Sequence, residues 1–182
     1  MTTALLEPDL DTLRLQAFNR LNGQAAADAL AACCVTRRWV TRLAAARPYA
    51  AVDDLYRTAA DELARFEWPD VLEGLDAHPR LGQRVAGDSR EAAWSRSEQA
   101  GTARVGGTVL RELAEAIAAY EAKFGFIFLI RAAGRSAEQM LYACLDRLSH
   151  DELTEQPVVR GELAQIVRLR LDKMLRETAA WN

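Results

Sequence analysis

Apolar residues in this 182-residue chain recur every three or four positions, and nowhere do they alternate with polar ones for long enough to make a half-buried strand. That pattern restricts the chain to helices packed on helices. Between Asp53 and Phe66, the side chains of Leu55, Ala59, Leu63 and Phe66 share one helical face. From Thr108 onward, Leu110, Leu113, Ile117 and Tyr120 do the same. Ser136-Ala-Glu-Gln139 reads as a capping box before Met140, Leu141, Cys144, Leu145 and Leu148. The helix after Pro157 carries Leu163, Ile166, Val167, Leu171 and Met174. Asn22 suits the cap of a helix running to Cys34, and Pro48, Pro69 and Pro79 punctuate the connections.

One run breaks the pattern: Phe124-Gly-Phe-Ile-Phe-Leu-Ile130. Flanked by helices and without a partner strand, it reads as an extended buried segment. The expectation is an all-α protein, a single compact domain of roughly eight helices over residues 1–182, with an ordered core at about 13–177.

Scarce residues narrow the function. The two histidines, His78 and His150, and the three cysteines, Cys33, Cys34 and Cys144, show no CxxC, HExxH or paired-His spacing, so no metal site is expected. An odd cysteine count with two adjacent argues against a disulfide framework and for a reducing, cytoplasmic compartment. The nucleotide cradles GxxxxGK[ST] and GxGxxG are absent. No apolar run approaches the ~18–20 residues of a membrane span, and the start does not read as a secretory leader. With 23 basic and 26 acidic residues the net charge is −3, the wrong sign for bulk nucleic-acid binding. A local basic stretch, Arg84, Arg90, Arg96 and Arg104, comes without a helix-turn-helix pattern and reads as solvated surface.

Three features could carry chemistry. His78 precedes Pro79, which biases it away from helical dihedrals and places it just past a helix end or on a turn. There it is either a capping or surface residue, or an imidazole turned into a cavity. His150, after a helix, reads as a C-terminal dipole partner or plain surface residue. Ser95, Glu98 and Gln99 lie at i, i+3 and i+4, so a hydroxyl, a carboxylate and an amide share one helix face. That face is either solvated or binds one small polar ligand. Arg170 falls between Ile166 and Val167 at the centre of an apolar stripe, near Met174. A buried guanidinium there needs a structural ion pair, for instance with Glu98, or an anionic or carbonyl-rich ligand. Together, one His, one carboxylate and one inward Arg suit general acid–base chemistry on a small anion.

From Phe18 to Leu175 the chain resembles the 2-oxo-4-hydroxy-4-carboxy-5-ureidoimidazoline (OHCU) decarboxylases of urate degradation. The resemblance is carried by Phe18-Asn-Arg-Leu-Asn22, Cys33-Cys34 with Trp39, His78-Pro79-x-Leu81, Ser95-x-x-Glu98-Gln99, Tyr120-x-x-Lys-Phe-Gly-Phe126-x-Phe128 and Leu169-Arg170-Leu171. Twenty residues separate His78 from Glu98, as in the family. Two departures are Ile127, where the family often has Pro, and Ile117, where it often has Asn.

The resemblance implies an all-helical homodimer that needs no metal or organic cofactor and converts OHCU into (S)-allantoin. It implies His78 as acid/base, Glu98 orienting it or sharing its proton and setting its tautomer, and Arg170 on the substrate's polar groups. Pro79, Ser95 and Gln99 would line the site, and Phe128, Leu129, Ile130 and Ala132 would add main-chain contacts. The rival reading is a non-catalytic helical ureide-binding or interaction module.

Overall fold

The structure, a computed structural model, describes residues 9–76, 78–81, 90–98 and 107–178. Among these it has no strand and nine helices: α1 (Leu10–Arg20), α2 (Gly23–Ala31), α3 (Arg37–Ala45), α4 (Val52–Ala64), α5 (Trp68–Asp76), α6 (Arg90–Glu98), α7 (Gly107–Phe124), α8 (Ala137–Arg147) and α9 (Glu152–Thr178). The all-α reading holds. They form two compact units, one from the chain up to Arg65 and from Arg168 on, the other from Phe66 to Val167.

In the first unit, α3 packs on α2 and α4, and α1 packs on α4. Phe18, Leu30, Trp39, Leu43 and Leu55 are fully buried, each contributing on the order of 2 kcal/mol through removal from water. The Trp39 indole N–H donates to the carbonyl of Ala59 at 3.1 Å, so the ring is buried without an orphaned donor. Asn22 caps α2 as expected, accepting from Ala25 N at 2.9 Å, but that helix ends at Ala31, short of Cys34. At the chain's front, α1 starts at Leu10, three residues before the expected ordered core, because Asp9 caps it through Thr12 N at 2.8 Å.

In the second unit α7 packs on α8. Ser136 and Gln139 exchange both bonds of the expected capping box, at 3.3 and 2.8 Å. Phe124 is the last residue of α7. Gly125 then takes φ +76°, a left-handed conformation that suits glycine at a helix end. From there to Ser136 the chain is not helical, and Phe128, Leu129 and Ile130 are buried, as the apolar run implied. Phe128, Ile130 and Ala132 join Leu113, Ile117, Tyr120, Met140 and Cys144 in one core cluster. Ile117 is thus a core residue.

One boundary differs from expectation. The last helix begins at Glu152, with Pro157 inside it, rather than after Pro157. Asp151 caps this start through Thr154 N at 2.8 Å, and hydrogen bonds from the Thr154 hydroxyl and then its amide hold the Asp151 carboxyl below the usual range. The bond that Pro157 cannot make would run to the carbonyl of Leu153, an 82% exposed residue in a turn open to water.

Candidate active site

His78 follows the last turn of α5, whose final carbonyls lack helical partners. Its main-chain N–H donates to Leu75 O at 2.8 Å, and its ring Nδ1 lies 2.8 Å from Gly74 O. A carbonyl only accepts, so Nδ1 carries the proton, and in the neutral ring Nε2 is the basic nitrogen. Nε2 is shielded from solvent. The bond to the main chain of Gly74 thus fixes the tautomer from the Nδ1 side.

The turn is tied down on both sides of Pro79. Arg80 pairs with Glu121 on α7 at 2.9 Å, and Leu81 packs against the cluster that holds Phe128, Ile130 and Ala132. Trp68, at the start of α5, meets Phe126 edge-on at 5.1 Å between ring centres. The His78 turn and the Phe128–Ala132 segment are thus anchored to one core.

Ser95 is buried on α6 and Glu98, one turn on, is half-buried, so the helical face read from the sequence is turned inward. Gln99 lies outside the described residues, as do Arg84 and Arg104. Arg170 is 4% exposed, against 4% for Ile166 and none for Val167 and Met174, so the guanidinium does sit on the apolar stripe of α9.

Charged side chains that the sequence reading did not single out are buried as well. Arg147 and Glu155 are 5% and 0% exposed and bonded through Nε and Nη2 at 2.8 and 2.5 Å. Tyr120 donates to the same carboxylate oxygen. Burial, and then that bond to Glu155, push its phenol far above the ordinary range. Arg147 also lies over the Phe128 ring at 4.6 Å and donates from Nη1 to Leu129 O at 2.8 Å. Two residues on, Arg131 N donates to Glu162 at 2.7 Å, and Glu162 is braced by Arg135 at 3.1 Å.

His150 is corrected by this network. It is no plain surface residue: its Nδ1 meets Glu155 at 2.8 Å, because α9 brings that carboxylate back past the end of α8. The missed residues had a signal. Met140, Cys144 and Arg147 continue one stripe, and Glu155, Val159, Glu162 and Ile166 another, so each charge occupies an apolar register.

Among the described residues no group of three or more His, Cys, Asp or Glu could hold a metal ion, and no helix is long and apolar enough to cross a membrane.

Residues 19–172 match the family model described as OHCU decarboxylase. A uric acid degradation bifunctional protein of Arabidopsis thaliana is 30% identical over 150 residues, which are 81% of this chain and 46% of that protein. The chain thus spans about half the length of that relative. A 2-oxo-4-hydroxy-4-carboxy-5-ureidoimidazoline decarboxylase of Haloferax volcanii is 30% identical over 164 residues, 87% of this chain and 94% of its own. Among solved structures, an OHCU decarboxylase crystallised in the presence of (S)-allantoin superposes with a TM-score of 0.70 at 29% identity, covering 82% of this chain and 98% of its own. An (S)-allantoin synthase shares the fold, with a TM-score of 0.65 at 16% identity over 88% of this chain and 53% of its own.

Proposed function

Because this chain belongs to the OHCU decarboxylase family, we propose that it is the carboxy-lyase that converts 2-oxo-4-hydroxy-4-carboxy-5-ureidoimidazoline into (S)-allantoin, after urate oxidation and 5-hydroxyisourate hydrolysis. The observation that carries the reading is the state of His78: its Nδ1 is committed to Gly74 O, which leaves Nε2, out of solvent, as the proton-exchanging atom.

The substrate carbon that carries the carboxylate also carries a hydroxyl and adjoins a C=N bond. When the bond to CO2 breaks, its electron pair moves into that imine and the nitrogen takes a proton. The resulting enol gives up its hydroxyl proton and gains one on the carbon bearing the ureido group. The imine accepts the electrons, so the reaction itself needs no cofactor. His78 Nε2 takes the hydroxyl proton and returns one to a single face. Glu98 stabilises the imidazolium. On the sequence match alone, Arg170 is assigned to the substrate's polar groups, where developing charge is stabilised by preorganised donors. Pro79, Ser95 and Gln99 line the site, and residues 128–132 offer main-chain contacts. We further assign the protein to the cytoplasm, in keeping with its three buried cysteines, none of which is in a disulfide, and to a homodimer on family resemblance.

The test generates OHCU from urate with the two upstream enzymes and follows circular dichroism on adding this protein. Rapid appearance of one allantoin enantiomer is the expected result. Slow racemic decay, no faster than in a control without the protein, would reduce it to a ureide-binding module.

A further inference from the structure

We propose that Glu162 and Arg147 are positioning residues for the decarboxylation: they fix the two peptide groups flanking Ile130 so that its main-chain N–H and C=O are presented to the substrate. This rests on the reading that segment 128–132 contacts substrate.

The geometry begins with two bonds of opposite polarity. Arg147 Nη1 donates to Leu129 O at 2.8 Å, and Glu162 Oε2 accepts from Arg131 N at 2.7 Å. Both peptide groups around Ile130 are trans, since the cis bond is Arg47–Pro48. The C=O and N–H of a trans peptide point in opposite directions. The Ile130 N–H therefore points away from Arg147, and the Ile130 C=O points away from Glu162. Neither group has a hydrogen-bond partner among the described residues, although Ile130 is only 6% exposed. Buried main-chain groups are almost always satisfied. A ligand that satisfies both carries an acceptor for the N–H and a donor for the C=O, and the –NH–CO– unit of a cyclic ureide has both.

The two charged residues are built for precision. Arg147 is held by Glu155 and Tyr120, and Glu162 by Arg135. Desolvating such groups recovers little or no net stability compared with a hydrophobic replacement. Short charge-assisted bonds do fix direction. The residue between the two anchors is thus held by side chains distant in sequence rather than by a neighbouring strand.

The discriminating pair is Glu162→Gln and Glu162→Leu. The Gln oxygen still accepts from Arg131 N, whereas Leu cannot. Allantoin binding by calorimetry should stay within about twofold of wild type for Glu162→Gln and weaken roughly fivefold to tenfold for Glu162→Leu, the loss of one hydrogen bond. In turnover, KM should rise in Glu162→Leu more than kcat falls. Equal losses in the two variants, or a folded Glu162→Leu with wild-type affinity, would overturn the proposal. If Glu162→Leu does not fold, Arg135→Met decides. It removes the brace that directs Glu162, so weakened allantoin affinity in the folded variant supports positioning, and wild-type affinity overturns it. A wild-type protein that binds allantoin but does not accelerate its formation sinks the decarboxylase reading, while the affinity series still judges the role of Glu162.

Discussion

Tyr120 and Glu155, 35 residues apart, share a hydrogen bond within the core, and the same carboxylate oxygen accepts from Arg147. A phenol, a carboxylate and a guanidinium thus satisfy one another where water does not reach.

Removing the charge from Glu155 leaves Arg147 buried and uncompensated. Glu155→Gln should cost about 3–5 kcal/mol of folding stability, whereas Tyr120→Phe should cost about 1 kcal/mol. Urea unfolding with an unchanged slope measures both. Equal costs would show that the ion pair does not hold this part of the core together.

Alkaline pH should destabilise the protein before its backbone is attacked. Burial raises Tyr49 and Tyr56 from 10.0 to about 12, the Asp172 carboxylate adding to the effect on Tyr56, and Tyr120 is pushed higher still. The unfolded chain releases these protons near the ordinary value. The native state keeps them, so their contribution is complete below about pH 10 and is lost as pH climbs toward 12. Denaturation midpoints should fall over that window, and less steeply in Tyr120→Phe. An equally steep fall in the variant would remove Tyr120 from the account.

His78→Asn keeps a side-chain donor near the α5 end but supplies no base. Turnover should fall on the order of 10²–10⁴-fold, with the circular dichroism of the folded protein unchanged. Formation of (S)-allantoin at the wild-type rate by this variant would dismiss His78 as the acid/base.

Arg170→Lys retains the charge but loses the planar fork. Allantoin binding should weaken by about 1–3 kcal/mol, measured by calorimetry on protein whose melting temperature has been checked. Unaltered binding would make Arg170 a structural residue.

Much of the fold was legible because local rules and tertiary packing agree. The capping box at Ser136, the N-cap at Asn22, the stripe through Leu55 and Ala59, and the inward Arg170 all follow from helical spacing. The start of α9 was misplaced because Pro157 reads as a boundary, while the capping by Asp151 lies six residues earlier. The plain-surface reading of His150 fails for a different reason. Its partner Glu155 is close in sequence, but the burial that gives the contact meaning comes from α7 and α8, through Tyr120 and Arg147. Within the candidate site, side-chain spacing pointed to His78 and to the Ser95–Glu98 face. It could not show that Gly74 sets the imidazole tautomer, because a main-chain carbonyl has no residue type to read.

With the role proposed for His78, its two bonds to the end of α5 couple robustness to turnover. Replacing an active-site group often relieves a cost the fold had carried, so that a damaged enzyme gains stability. Here the ring and its own amide close the carbonyls of Gly74 and Leu75. A lineage that no longer used the reaction would gain no stability by discarding this imidazole, and selection for thermal tolerance alone would keep a hydrogen-bonding side chain in its place.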